Sequence, residues 1–186
     1  MASAIAYLCH RRGEKVGQHI IGAPLTITPH SKRSMPSILR TQAELRPQGS
    51  AEIGTSLAQF SARLSRRSIV IVLSDWMEEP STWADSLANM TAMGHDLRVA
   101  HMYNPVEWNL EYSDAAMLCS PEPGAELATD PESIREEFKV VVDEYKSEVQ
   151  AAAHKAQAIW TFLPVREVVS MDPSSGGLLL GEDDLR

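Results

Sequence analysis

The chain has 186 residues, 44% hydrophobic and 6% aromatic, which suits a single globular domain with a sizeable core and excludes disorder as a description of the whole. Its 17 basic and 25 acidic residues leave a net charge of -8, which argues against a phosphate-neutralising nucleic-acid surface and is easier to reconcile with a basic partner. Cys9 and Cys119 are the only cysteines, so a disulfide framework or a cysteine metal site is not expected, and no apolar run approaches the roughly 20 residues of a membrane helix.

In chain order, Ala2 to Arg12 reads as a helix with Ile5, Leu8 and Cys9 on one stripe and Gly13 at its end. The apolar part of this stretch, Met1 to Leu8, is too short for a signal peptide, and Arg11 and Arg12 lie on the wrong side of it, so a cytoplasmic location with no membrane partner is expected. Two short strands follow at Lys15 to Ile21 and Leu25 to Thr28, around Gly22-Ala23-Pro24. Ser34 to Leu45 is the next helix, with Pro36 in its first turn, and Thr55 or Ser56 can cap a helix from Leu57 to Leu64.

Ile69 to Leu73 is an aliphatic run that reads as a strand buried on both faces, deep inside a parallel sheet. Glu78-Glu79-Pro80-Ser81 opens a helix in which Trp83, Leu87 and Met90 share one side and which Gly94 closes. Leu97 to Tyr103 is the next strand. From Asn104 to Thr129 the strand and helix alternation breaks, and Ala115 to Cys119 with Ala125 to Ala128 around Pro121-Glu122-Pro123-Gly124 read as a hairpin insertion. Asp130-Pro131 starts a long helix with Ile134, Phe138, Val141, Val142, Tyr145, Val149 and Ala152 on its apolar face. Trp160 to Val165 is the last strand, and residues 172–186 read as a flexible tail.

In open α/β sheets ligands gather at the carboxyl ends of the strands, which singles out Asp75 at the end of the aliphatic run. Trp76 beside it is either a cover over the core or an anchor for a partner. His101 lies on the neighbouring strand, where a packed role is several times commoner than a catalytic one, and it takes no assigned part. The six histidines show no paired spacing with a glutamate, and neither Gly-x-Ser-x-Gly nor a phosphate-binding glycine loop occurs. No enzyme activity is expected. The alternative is a small α/β hydrolase or phosphate-handling enzyme that uses Asp75 at the sheet crevice.

Taken together, Gly13-Glu14-Lys15-Val16-Gly17, Gly54-Thr55-Ser56-Leu57, the stretch from Arg66 to Asp75 and Asn104-Pro105-Val106-Glu107-Trp108 resemble the bacterial family called domain of unknown function 58. That family is similar to the von Willebrand factor A fold. The resemblance implies a Rossmann-like, mostly parallel sheet with helices on both faces, and a non-enzymatic role in protein complexes beside a MoxR-type AAA+ ATPase. In such folds a divalent ion is held by an Asp-x-Ser-x-Ser motif after the first strand, a threonine and a later aspartate. Thr55 and Asp75 match the last two, while the motif would precede Met1, so the resemblance implies a truncated domain that lacks the central first strand. One carboxylate and one hydroxyl make a poor Mg²⁺ site, so Thr55 and Asp75 are expected to be a remnant without a bound cofactor. The strands flanking the absent one would expose edges, which favours self-association.

Overall fold

The computed structural model describes residues 1–22, 26–27, 34–46, 52–64, 67–112, 116–119 and 126–165. The expected tail, the Pro121 to Gly124 turn and Pro47-Gln48-Gly49, which the sequence reads as the end of the Ser34 to Leu45 helix, lie outside them. The elements are α1 (Ala2–Arg11), β1 (Gln18–His19), β2 (Thr26–Ile27), α2 (Ser34–Glu44), α3 (Ile53–Ser61), β3 (Ile69–Ser74) and α4 (Pro80–Ala92). They continue with β4 (Asp96–Tyr103), α5 (Pro105–Trp108), β5 (Ala116–Cys119), β6 (Glu126–Thr129), α6 (Pro131–Lys155) and β7 (Ile159–Pro164). The fold is α/β. A three-stranded parallel sheet in the order β3-β4-β7 is accompanied by two antiparallel ribbons, β1-β2 and β5-β6.

Register divides the sheet into two faces. Val70, Val72 and Ser74 stand beside Leu97, Val99 and His101, and Val99 and His101 in turn stand beside Trp160 and Phe162. On this face lies the main core, where Val70, Val72, Leu97 and Val99 meet Ile53 and Leu57 of α3, Trp83, Leu87 and Met90 of α4, and Val149 of α6. Trp83, Leu87 and Met90 fall at helical spacing and are all fully buried, which is why α4 lies flat on the sheet. The opposite face is thinner: Ala100 and Leu163 are buried there, with Met1, Ile5 and Leu73 packed against them.

Four local expectations are corrected. The aliphatic strand is not buried on both faces: β3 lies at the edge of the three-stranded sheet, Val70 and Val72 are buried, and Ile69 is 48% exposed. The strand pairs on one side only, and the sheet face to which Ile69, Ile71 and Leu73 project is thinly covered. Asp96 N–H donates to the Ser68 carbonyl at 3.0 Å, so Ser68 and alternate residues after it face β4, while Ile69, Ile71 and Leu73 turn their backbone groups outward. No other strand pairs there among the described residues. Second, α3 begins at Ile53, and neither Thr55 nor Ser56 is its cap. Glu52 holds the cap position, and the Ile53 amide donates instead to Glu78 Oε1 at 2.7 Å. Third, Val141 is 60% exposed, since α6 turns Val142, Tyr145 and Val149 inward in its place. Fourth, a short helix, α5, begins after Asn104, whose side chain accepts from the Val106 amide at 3.1 Å with Pro105 at the first helical position.

One close approach sets how α3 meets α4. A Cβ on Gly54 would stand 2.0 Å from the Thr82 carbonyl oxygen, and Ser86 Oγ donates to the Gly54 carbonyl at 2.9 Å. Glycine is therefore required where the helices touch backbone to backbone. At the far end of α4, Gly94 takes φ +87°, the left-handed turn that releases the chain into β4.

Candidate functional site

At the carboxyl ends of β3 and β4 the described residues Trp76 and His101 are buried. Asp75 follows β3 and is exposed, and Ser74 Oγ donates to its Oδ1 at 3.3 Å. The next residue turns inward: Trp76 is a non-glycine residue at φ +54° and its side chain is fully buried. Its ring lies 4.8 Å from Trp83 and 4.8 Å from Trp160, which stack on each other at 5.5 Å. Of the two roles read for Trp76 from sequence, the geometry gives it that of a core cover, with no surface left for a partner to touch.

The loop behind Trp76 is held at several points. Its amide donates to Ser74 Oγ at 3.3 Å and its carbonyl accepts from the Tyr145 hydroxyl of α6. The Glu78 carbonyl accepts from Trp83 Nε1 at 3.2 Å, and Thr82 Oγ1 donates to the Glu79 carbonyl at 2.8 Å. Glu78 uses its carboxylate to cap α3, binding the Ile53 amide and the Thr82 hydroxyl. This role was not readable locally, because the helix it caps starts 25 residues earlier.

Beneath Asp75 sits His101, fully buried among Phe162, Trp108, Trp160 and Tyr145 at centroid distances of 5.0, 5.2, 5.7 and 6.0 Å. Its ring nitrogens make no well-formed hydrogen bond among the described residues, although the backbone of Asp75 lies close enough to act on the ring. Burial lowers its pKa to about 4, against the charge and backbone of Asp75, which favour the proton, and with a small further push from Lys146. Burial also raises the Tyr145 phenol to about 12, reinforced by Asp75 and then Glu79. Both groups are therefore neutral across the physiological range. Tyr103 stacks on Trp108 at 4.3 Å, and Lys146 Nζ lies 4.9 Å over the Trp108 ring while pairing with Asp143 at 3.4 Å.

Thr55 is exposed in the first turn of α3, where its hydroxyl donates to Glu52 Oε2 at 2.8 Å. The hydrogen bonds of Thr55 and Asp75 thus run to different partners. Among the described residues no group of three or more His, Cys, Asp or Glu could hold a metal ion, and no helix is long and apolar enough to cross a membrane. A serine and histidine pair that sequence spacing did not reveal joins β1 to α3: His19 Nε2 and Ser56 Oγ are 3.0 Å apart, and the imidazole stacks on Phe60 at 5.2 Å. Both belong to the seam between ribbon and helix, and Ser56 is buried.

A small three-stranded parallel sheet with helices between its strands defines the class of protein as an α/β domain. The family described as "Protein of unknown function DUF58" matches residues 1–148, and the chain belongs to it. The match runs from α1 into α6. No curated protein and no solved structure matches the chain.

Proposed function

We propose that this chain is a non-enzymatic protein-interaction module of the von Willebrand A-like kind, working with a MoxR-type AAA+ ATPase in assembly or maturation of other proteins. The observation that supports this reading is the packing of the described residues at this end of the sheet: His101 is fully buried among aromatic rings, Tyr145 bonds the Trp76 carbonyl, and of Asp75, His101 and Tyr145 it is Asp75 that is exposed. An enzyme needs a cavity with converging reactive groups at that place. The residues do not fit a divalent ion either, since Thr55 is engaged by Glu52 and a single carboxylate gives Mg²⁺ too few fixed ligands.

The von Willebrand A-like order also puts a central strand beside β3, on the side where Ile69, Ile71 and Leu73 turn their backbone groups outward. No other strand pairs with this edge among the described residues, and an open edge of this kind recruits other chains, so self-association belongs to the same proposal.

Affinity purification of the tagged full-length chain from its native cell tests the module reading. The expected result is recovery of an AAA+ ATPase, and recovery of no protein partner at all would end the reading. Millimolar Mg²⁺ should leave the melting temperature unchanged, because a ligand stabilises only above its dissociation constant, whereas a rise abolished by Asp75→Ala would restore Thr55 and Asp75 as metal ligands. The hydrolase alternative requires turnover of generic ester or phosphate substrates that Asp75→Ala abolishes.

A further inference from the structure

The β3 to α4 loop spends conformational energy to present one apolar side chain. Met77 is 71% exposed, the largest exposure of any large hydrophobic residue among those described, with Val141 next at 60%. Single exposed apolar residues are ordinary on a protein surface. What sets Met77 apart is the residue before it. Trp76 adopts φ +54°, a backbone conformation unfavourable for a bulky residue, which persists because its ring is locked between Trp83 and Trp160 and its carbonyl is bonded by Tyr145. The inward Trp76 reverses the chain, and the adjacent side chains, Asp75 and Met77, point to solvent. Glu78 is then tied to α3, Thr82 and Trp83, so the loop is fixed on both sides of Met77.

Fixing a flexible methionine stem on a rigid loop removes the backbone-ordering part of the cost of docking, and methionine is enriched at interface centres. The exposed carboxylates of Asp75 and Glu79 flank it in the chain, two residues to either side. The nearby cation Lys146 is engaged by Asp143 and the Trp108 ring. Among the described residues, the exposed charged side chains that flank Met77 in the loop are therefore negative, in a chain of net charge -8.

We infer that Met77, flanked by Asp75 and Glu79, is the docking knob of this module, and that it fits a protein partner carrying an apolar socket bordered by lysine or arginine. The inference rests on the interaction-module reading and adds to it the contact surface and the chemistry of the partner. Charge on the rim speeds and orients the encounter, while the apolar side chain holds the complex.

Photo-crosslinking in the native cell tests it on the full-length chain, with benzoylphenylalanine replacing Met77 in one protein and the exposed Leu39 or Ile159 in two controls. The expected result is a discrete adduct at position 77 alone, whose crosslinked peptide carries apolar residues with lysine or arginine beside them. Met77→Glu should lower recovery of that partner by about tenfold or more, as truncation of an interface hot spot does, with no change in melting temperature. Adducts at position 39 or 159 but none at 77, an acidic crosslinked peptide, or undiminished recovery with Met77→Glu would each overturn the inference and leave the module reading standing. No adduct at any position together with an empty affinity purification would end both.

Discussion

Two of the hydrophobic clusters among the described residues differ sharply in size. Between the sheet and α3, α4 and α6, twelve buried residues form one cluster that includes Trp76 and Trp83. Around α1 and α2 the buried cluster among the described residues is Ala6, Met35 and Ile38, with Val16 against it. Local stability follows buried apolar contact, so the α1 and α2 region opens at lower free energy than the tryptophan core. The lesson is that the most exposed docking residue, Met77, stands on the part of the molecule least able to move.

The largest expected effect breaks the strong side of that contrast. Trp83→Ala should cost about 3–5 kcal/mol in urea unfolding, since it empties the centre of the cluster, while Ile38→Ala should stay near the low end for such truncations, about 2 kcal/mol. Equal losses would mean that the two cores are energetically one.

Acid comes next. His101 has its folded pKa lowered to about 4 from 6.5, so the unfolded chain takes up the proton first and stability falls as pH drops from about 6.5 toward 4. For this fully buried group the loss amounts to about 3 kcal/mol, with Asp75, Lys146 and Tyr145 as the charged or titratable groups acting around it. His101→Phe should flatten that part of the stability profile, and an unchanged slope would locate the acid sensitivity elsewhere. At the alkaline end the sign reverses for Tyr145. Its raised pKa means that its contribution is complete below pH 10 and fades as pH rises through about 12.

Gly54→Ala should cost about 1–3 kcal/mol by pushing α3 off α4, because the new methyl meets backbone that cannot rotate away. A neutral result would show that the helices separate freely. The smallest effect on stability belongs to the open edge of β3. Ile69→Lys should change unfolding by less than about 0.5 kcal/mol and yet shift sedimentation toward monomer, since a charge on an edge strand blocks pairing. Unaltered sedimentation would remove β3 from the self-association surface.

Much of the fold was legible because it was written in local patterns. The α4 stripe, the Asp130-Pro131 start of α6, the hairpin signs near Pro121 and the aliphatic β3 run each carry their signal within a dozen residues. The errors share a different cause. Burial of β3 depends on whether a strand lies on its outer side, the start of α3 depends on a carboxylate from the β3 to α4 loop, and the inward turn of α6 at Val142 depends on what packs below it. At the candidate site Asp75 was identified by its place after a strand. Trp76 beside it was left between two roles, because its left-handed backbone and its three anchors come from elements far apart in the chain.

The tryptophan arrangement has an optical consequence. Indoles 4.8 to 5.5 Å apart couple electronically, so Trp76, Trp83 and Trp160 should give the folded protein a strong near-ultraviolet circular dichroism signal. Trp108, beneath the Lys146 ammonium, adds a fluorophore in a different, charged setting. Since Trp76 is the immediate neighbour of Met77, the chain carries an unlabelled spectroscopic reporter one peptide bond from its proposed point of contact.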